Sequence, residues 1–160
     1  MNDTGEMKAP PSAAQLADLE AIATLKARYF RLLDTREWDA FEDLFTDDCV
    51  HHLPAESPVP TVDNATYFPM LRATLLPGIS VHHGHMPEIT LTGPDTATGI
   101  WAMQDVVDAE PPDRPAVHIE GYGHYVETYR KDARGAWRIS SKSNDRLWLD
   151  RDRPDPRRRG

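Results

Sequence analysis

The chain has 160 residues, 39% of them hydrophobic and 28% charged, with a formal net charge of -8. That length suits one domain, and a domain of this size buries about two thirds of its unfolded surface, enough for a core with an internal pocket. The tail from Asp150 to Gly160 holds five Arg against three Asp, so the remaining body carries -10, which argues against nucleic acid as the main partner. No apolar run approaches the roughly 20 residues of a membrane span. The opening MNDTGEMKAPPS lacks the apolar stretch of a signal peptide. Cys49 is the only cysteine, so no intrachain disulfide forms, and a reducing, cytoplasmic setting is expected.

In chain order, residues 1–11 read as a flexible leader. Ser12 then caps a helix, with Gln15 closing a capping box. Leu16, Leu19, Ile22, Ala23, Tyr29, Phe30 and Leu33 follow at helical spacing, and the helix ends near Asp34-Thr35. A short second helix carries Trp38, Phe41, Leu44 and Phe45. LPAESPVPTV, with three prolines, breaks regular structure. Asp63 to Leu76 forms a third helix with Pro69 inside it. From Gly78 the pattern turns to strands: ISVHHGHMPEITLT, a Gly93-Pro94-Asp95 turn, TATGIWAMQDVVD, the loop AEPPDRP, AVHIEGYGHYVETYRK, a KDARG turn, and AWRISSKSNDRLWL. The expected fold is α+β, with helices on one face of a curved antiparallel sheet and a pocket inside the resulting cone. The single domain spans 12–149, and 150–160 is a flexible Arg-rich tail.

SVHHGHMPE places three of the seven histidines beside Glu88. On a strand His83 and His85 share one face while His82 and Glu88 share the other. Two ligands on a face fall short of a catalytic zinc site, so no metal is expected. A histidine acting as general base needs an acid to fix its tautomer. Asp105 and Asp34 are the candidates. If positions 92 and 95 pair across the turn, Asp105 faces His82; a slip of one residue makes it face His83, and the sequence leaves both open. Asp34 ends the first helix, where a carboxylate is electrostatically disfavoured by about 0.3–1 kcal/mol. Tyr29 lies five residues earlier on the same helix. Arg146 can pair with Glu127 or with an inner carboxylate.

AIATLKARYFRLLDTREWDAFEDLF resembles the first helices of SnoaL-like proteins of the NTF2-like superfamily. ISVHHGHMPEITLTGPDTATGIWAMQD is similar to the matching segment of the bile acid 7α-dehydratases and, more distantly, the scytalone dehydratases. GYGHYVETYRKDARGAWRI fits the family's long third strand and the turn into the fourth. The resemblance implies the NTF2-like cone and four catalytic positions: Tyr29 as hydrogen-bond donor, His82 as base, Asp34 as its partner and Asp105 as a second nearby acid. It also implies that Leu53 stands where the bile acid enzymes carry a pocket tyrosine, so the ring system accepted here differs. His83, Trp101, Met103, Tyr122 and Phe68 complete the expected substrate-binding set. The implied activity is cofactor-independent elimination of water from a cyclic hydroxy-ketone, with polyketide cyclase or isomerase chemistry and a non-catalytic binding module as alternatives. The implied partners are a small hydrophobic ring compound and further copies of the chain, as a homodimer or homotrimer.

Overall fold

The computed structural model describes residues 10–54, 57–110 and 116–151. The expected leader and Arg-rich tail fall almost entirely outside the described residues, as do residues 111–115 of the AEPPDRP loop. Helix α1 runs Ala13–Thr35, and Ser12 and Gln15 make the reciprocal capping box. Its inward stripe of Ile22, Leu25, Tyr29, Leu32 and Leu33 is buried; full burial of such a side chain contributes about 1.5–3 kcal/mol. Helix α2 covers Trp38–Glu42 and α3 covers Asn64–Leu75, the latter capped by Asp63, whose side chain accepts from the Thr66 N–H.

Six strands form one sheet: β1 Phe45–His52, β2 Thr61–Val62, β3 Gly78–Leu91, β4 Thr96–Ala109, β5 Val117–Lys131 and β6 Trp137–Asp150, in the spatial order β2-β1-β6-β5-β4-β3. The last four are the expected antiparallel meander. The first two correct the expectation. Phe45 starts a strand instead of ending the second helix, and β1 runs parallel to β6. β1 offers little sequence signal because its outward positions are the acids Asp47 and Asp48, and β2 has two residues.

α1 packs chiefly on β3 and covers the concave face of the sheet. The β3–β4 register is the one in which His82 faces Asp105, with His83 opposite Gln104. Alternation along β4 and β5 sends Trp101, Met103, Asp105, Gly121, Gly123, Tyr125, Glu127 and Tyr129 inward, all of them buried. β3 bulges at Met86-Pro87, between His85 and Glu88, where Met86 adopts φ 40. At the turn Leu91 pairs with Ala97, so 92 meets 96 and not the expected 95; the extra residue of the bulge shifts the register by one and so brings His82, not His83, opposite Asp105.

Candidate functional site

Asp34 and His82, 48 residues apart, meet where the C-terminus of α1 touches β3. His82 Nδ1 and Asp34 Oδ1 are 2.6 Å apart, the His82 backbone N–H donates to Asp34 Oδ2 at 2.8 Å, and Ser80 Oγ donates to Asp34 Oδ1 at 2.8 Å. Partial burial raises the Asp34 carboxyl, but hydrogen bonds and charge from His82, with help from Ser80, together hold it below its ordinary value. The carboxylate therefore only accepts, which places the His82 proton on Nδ1. Nε2 has no protein partner among the described residues, so its lone pair is available. His82 is 8% exposed.

Arg36 holds this arrangement from behind. It occupies the left-handed region at the α1 C-cap (φ 63, ψ 27), at a cost of about 1–2 kcal/mol for a residue with a Cβ. That turn brings its guanidinium back over the helix end, where Nη1 donates to Ser80 Oγ and Leu33 O, both at 2.7 Å, and Nη2 to Gly78 O at 3.2 Å. With its lone pair engaged by Arg36, the Ser80 hydroxyl aims its proton at Asp34. Neither residue stands out in the sequence; the only signal is Ser80 two places before His82, on the same face of an alternating strand.

Asp105 makes no side-chain hydrogen bond to His82. Its two oxygens accept from Arg146 Nη1 at 2.8 Å and Nη2 at 2.5 Å, a bidentate fork that fixes the carboxylate as an anion. Of the two partners open to Arg146 from sequence, the inner carboxylate at Asp105 takes it. Gly121 makes room, because a Cβ there would overlap the Arg146 guanidinium and crowd Asp105 Oδ1. His82 and Asp105 thus stand opposite each other on the inner face, each with its own second partner.

The remaining expected residues divide. Tyr29 is 1% exposed and packs edge-on against Tyr125, with ring centroids 6.0 Å apart. Burial first, then the nearby Tyr67 and Tyr125 hydroxyls and the Glu127 and Asp105 carboxylates, push its phenol well above the ordinary tyrosine range, so it stays a neutral donor. A groove of about 380 Å³ between α1 and β3 is lined by Phe30, Asp34, His82, His83, Gly84 and Trp101 among others, which brings His83 and Trp101 beside the pair. Met103 is inward and buried. Phe68 packs with Phe41, Phe45 and His51. Leu53 lines a separate cleft of about 810 Å³ with His52, Val126 and Trp148. Tyr122 lies on the outer face against Trp148, their centroids 5.5 Å apart, because alternation puts it opposite in sense to Gly121 and Gly123. The wider cleft lacks the His82–Asp34 pair, and the chemistry places the candidate site at the smaller groove.

The interior also holds a polar group that the sequence does not announce. Lys26 and Glu127 are fully buried and 2.5 Å apart; Glu127 also accepts from the Tyr129 hydroxyl at 2.5 Å, and Trp101 Nε1 donates to that hydroxyl at 2.8 Å. Burial pulls the Lys26 amine down to about 8 against the pull of Glu127. His51 stacks on Tyr67 at 3.8 Å and contacts Asn64 Oδ1 through Nε2 at 2.8 Å. Its burial lowers the imidazole to about 4. Cys49 is buried and its thiol is pushed up to about 12, chiefly by burial, so it is an inert core residue. Among the described residues no group of three or more His, Cys, Asp or Glu is placed to hold a metal ion, and no helix is long and apolar enough to cross a membrane.

The SnoaL-like domain matches residues 14–143, which takes in both helical and strand halves of this site. The chain belongs to the SnoaL-like family. Solved structures agree on the fold. A putative scytalone dehydratase from Novosphingobium aromaticivorans is 19% identical over 86% of this chain and 89% of its own, with a TM-score of 0.72. The hexachlorocyclohexane dehydrochlorinase LinA-type3 from Novosphingobium barchaimii is 16% identical over 86% and 92%, with a TM-score of 0.68. A putative aromatic ring hydroxylase from Novosphingobium aromaticivorans is 21% identical over 90% and 96%, with a TM-score of 0.72. This SnoaL-like protein therefore has the expected NTF2-like α+β cone. Fold likeness at these identities says nothing further about substrate.

Proposed function

We propose that this SnoaL-like protein is a cofactor-independent lyase that eliminates water from a cyclic hydroxy-ketone. The observation that carries the reading is the His82 ring, held through Nδ1 by an ionised Asp34 at 2.6 Å and left with a free Nε2. Two of the fold neighbours are named for eliminations, a putative dehydratase and a dehydrochlorinase. That is the reaction a fixed imidazole base serves best.

In this reading Nε2 takes a proton from the carbon next to the carbonyl. The C–H electron pair moves into an enolate, then forms the C=C bond as the C–O bond to the hydroxyl breaks. The imidazolium returns its proton to the departing hydroxide, so the products are an enone and water and the enzyme is unchanged. Asp34 stabilises the imidazolium without accepting its proton. Tyr29 is the assigned donor to developing oxygen charge. The Asp105–Arg146 pair fixes charge opposite His82. Positioned proton transfer contributes about 10² to 10⁴ in rate, and an oxyanion donor a further 10² to 10³.

The test is incubation with cyclic β-hydroxy ketones, read by mass and by enone absorbance. Loss of the mass of one water, abolished in His82→Ala, is the expected result. Ring closure or double-bond migration at unchanged mass would reassign the same base to cyclase or isomerase chemistry. Undiminished turnover in His82→Ala would remove the base assignment altogether.

A further inference from the structure

Inside the cone two ammonium groups, Lys26 and Lys142, lie near one carboxylate, Glu127, and only Lys26 pairs with it. Lys142 on β6 is paired in register with Glu127 on β5, and both are buried. Both Glu127 oxygens are already engaged, Oε1 by Lys26 and Oε2 by the Tyr129 hydroxyl. The other fully inward acid, Asp105, is held by Arg146. Lys142 is 6% exposed, and its one hydrogen bond among the described residues runs to the Tyr67 hydroxyl at 3.1 Å. No carboxylate among the described residues lies within ion-pair distance of it.

The same region has more donors than acceptors. Tyr67 accepts from Lys142 and keeps its own O–H proton to give. The Tyr29 and Tyr125 rings lie 5.9 and 5.4 Å from the Lys142 ammonium, and neither hydroxyl has a hydrogen-bond partner among the described residues. An ammonium taken out of water without a counter-ion costs several kcal/mol. An interior ammonium of that kind, beside a hydroxyl that still has a proton to give, is complementary to an oxygen anion.

We propose that Lys142 and Tyr67, with the Tyr29 and Tyr125 rings beside the ammonium, anchor an ionised oxygen of the ligand, so that the natural ring compound carries an acid group (a carboxylate or an ionised enol). This rests on the lyase reading only for the ring compound itself.

Binding to the full chain is measured at neutral pH by calorimetry with four probes. Two are anionic, 2-naphthoate and dimedone, whose enol is ionised at neutral pH. Two are their neutral counterparts, 2-naphthalenemethanol and 3,3-dimethylcyclohexanone. The expected result is at least about tenfold tighter binding of an anionic probe than of its neutral counterpart, lost in Lys142→Met and kept in Lys142→Arg. Stronger preference within the naphthalene pair assigns the anchored group to a carboxylate, and within the cyclohexanone pair to the enol. Equal binding of anionic and neutral probes by the wild type, or a preference that survives Lys142→Met, overturns the proposal; the wild-type comparison decides even if a variant does not fold. Because no turnover is read, that failure leaves the His82 reading intact. Probe preference retained in His82→Ala together with undiminished elimination would instead remove the lyase reading and leave the anchor.

Discussion

Two buried acid–base groups lie under the same helix and differ in what they leave over. At the α1–β3 contact, Asp34 is saturated by the His82 ring, the His82 N–H and Ser80, yet the imidazole keeps a free nitrogen. Deeper in, Lys26 and Glu127 close on each other at 2.5 Å with no exposure at either side chain, and the leftover is a charge, the Lys142 ammonium. The first arrangement has the form of a base held ready for a proton. The second is an electrostatic frame that stabilises the fold only while its carboxylate is present. Burial alone therefore does not mark the reactive group; the unspent valence does.

The contrast can be broken at either end. The largest expected effect on stability is at the deep group. Glu127→Gln leaves the buried Lys26 ammonium without its carboxylate and costs about 3–5 kcal/mol, read by urea unfolding; a loss below about 1 kcal/mol would mean that Lys26 finds another partner. His82→Ala, by comparison, is expected to unfold near wild type and to lose about 10² or more in turnover. Ser80→Ala removes one hydrogen bond from Asp34 and is expected to lower turnover about fivefold, the equivalent of about 1 kcal/mol, with the acid limb of the pH–rate profile displaced. An unchanged profile would make the Arg36–Ser80 contact purely structural. A further effect, read against pH, concerns His51. Its folded value near 4 lies below the ordinary 6.5, so between these limits the unfolded chain binds the proton and the folded one does not. Stability then rises with pH across that window and falls as the solution is acidified through it. Urea midpoints over this range should show the slope, and His51→Phe should flatten it.

Much of this was legible in the residues, for identifiable reasons. The Ser12–Gln15 capping box sets the start of α1. The placement of Asp105 opposite His82 was one of two registers open in the sequence, and the turn does not decide it: Leu91 pairs with Ala97, so 92 meets 96 and not 95, and only the bulge between His85 and Glu88 shifts the register by one to bring His82 opposite Asp105. What the sequence hides is long-range pairing. Lys26 and Glu127 are 101 residues apart, and nothing about a lysine within an amphipathic helix says that it points inward. Arg146 was ambiguous because two inner acids lay within plausible reach. Tyr122 and Tyr125 look alike as a pair of aromatics, but one residue of alternation separates an outer stacking partner of Trp148 from an inner wall. β1 is missed because its outward acids mask the inward Cys49 and His51.

The central claim is that Asp34 holds His82 in the Nδ1–H form with Nε2 unprotonated. Long-range ¹H–¹⁵N correlation of the imidazoles near neutral pH, with His82 assigned by its loss in His82→Ala, tests it without a substrate. The account predicts a protonated Nδ1 and a pyridine-like Nε2 for His82, with the Nδ1 proton strongly downfield and lost in Asp34→Ala. A pyridine-like Nδ1 with the proton on Nε2, or a spectrum indifferent to Asp34, would contradict it.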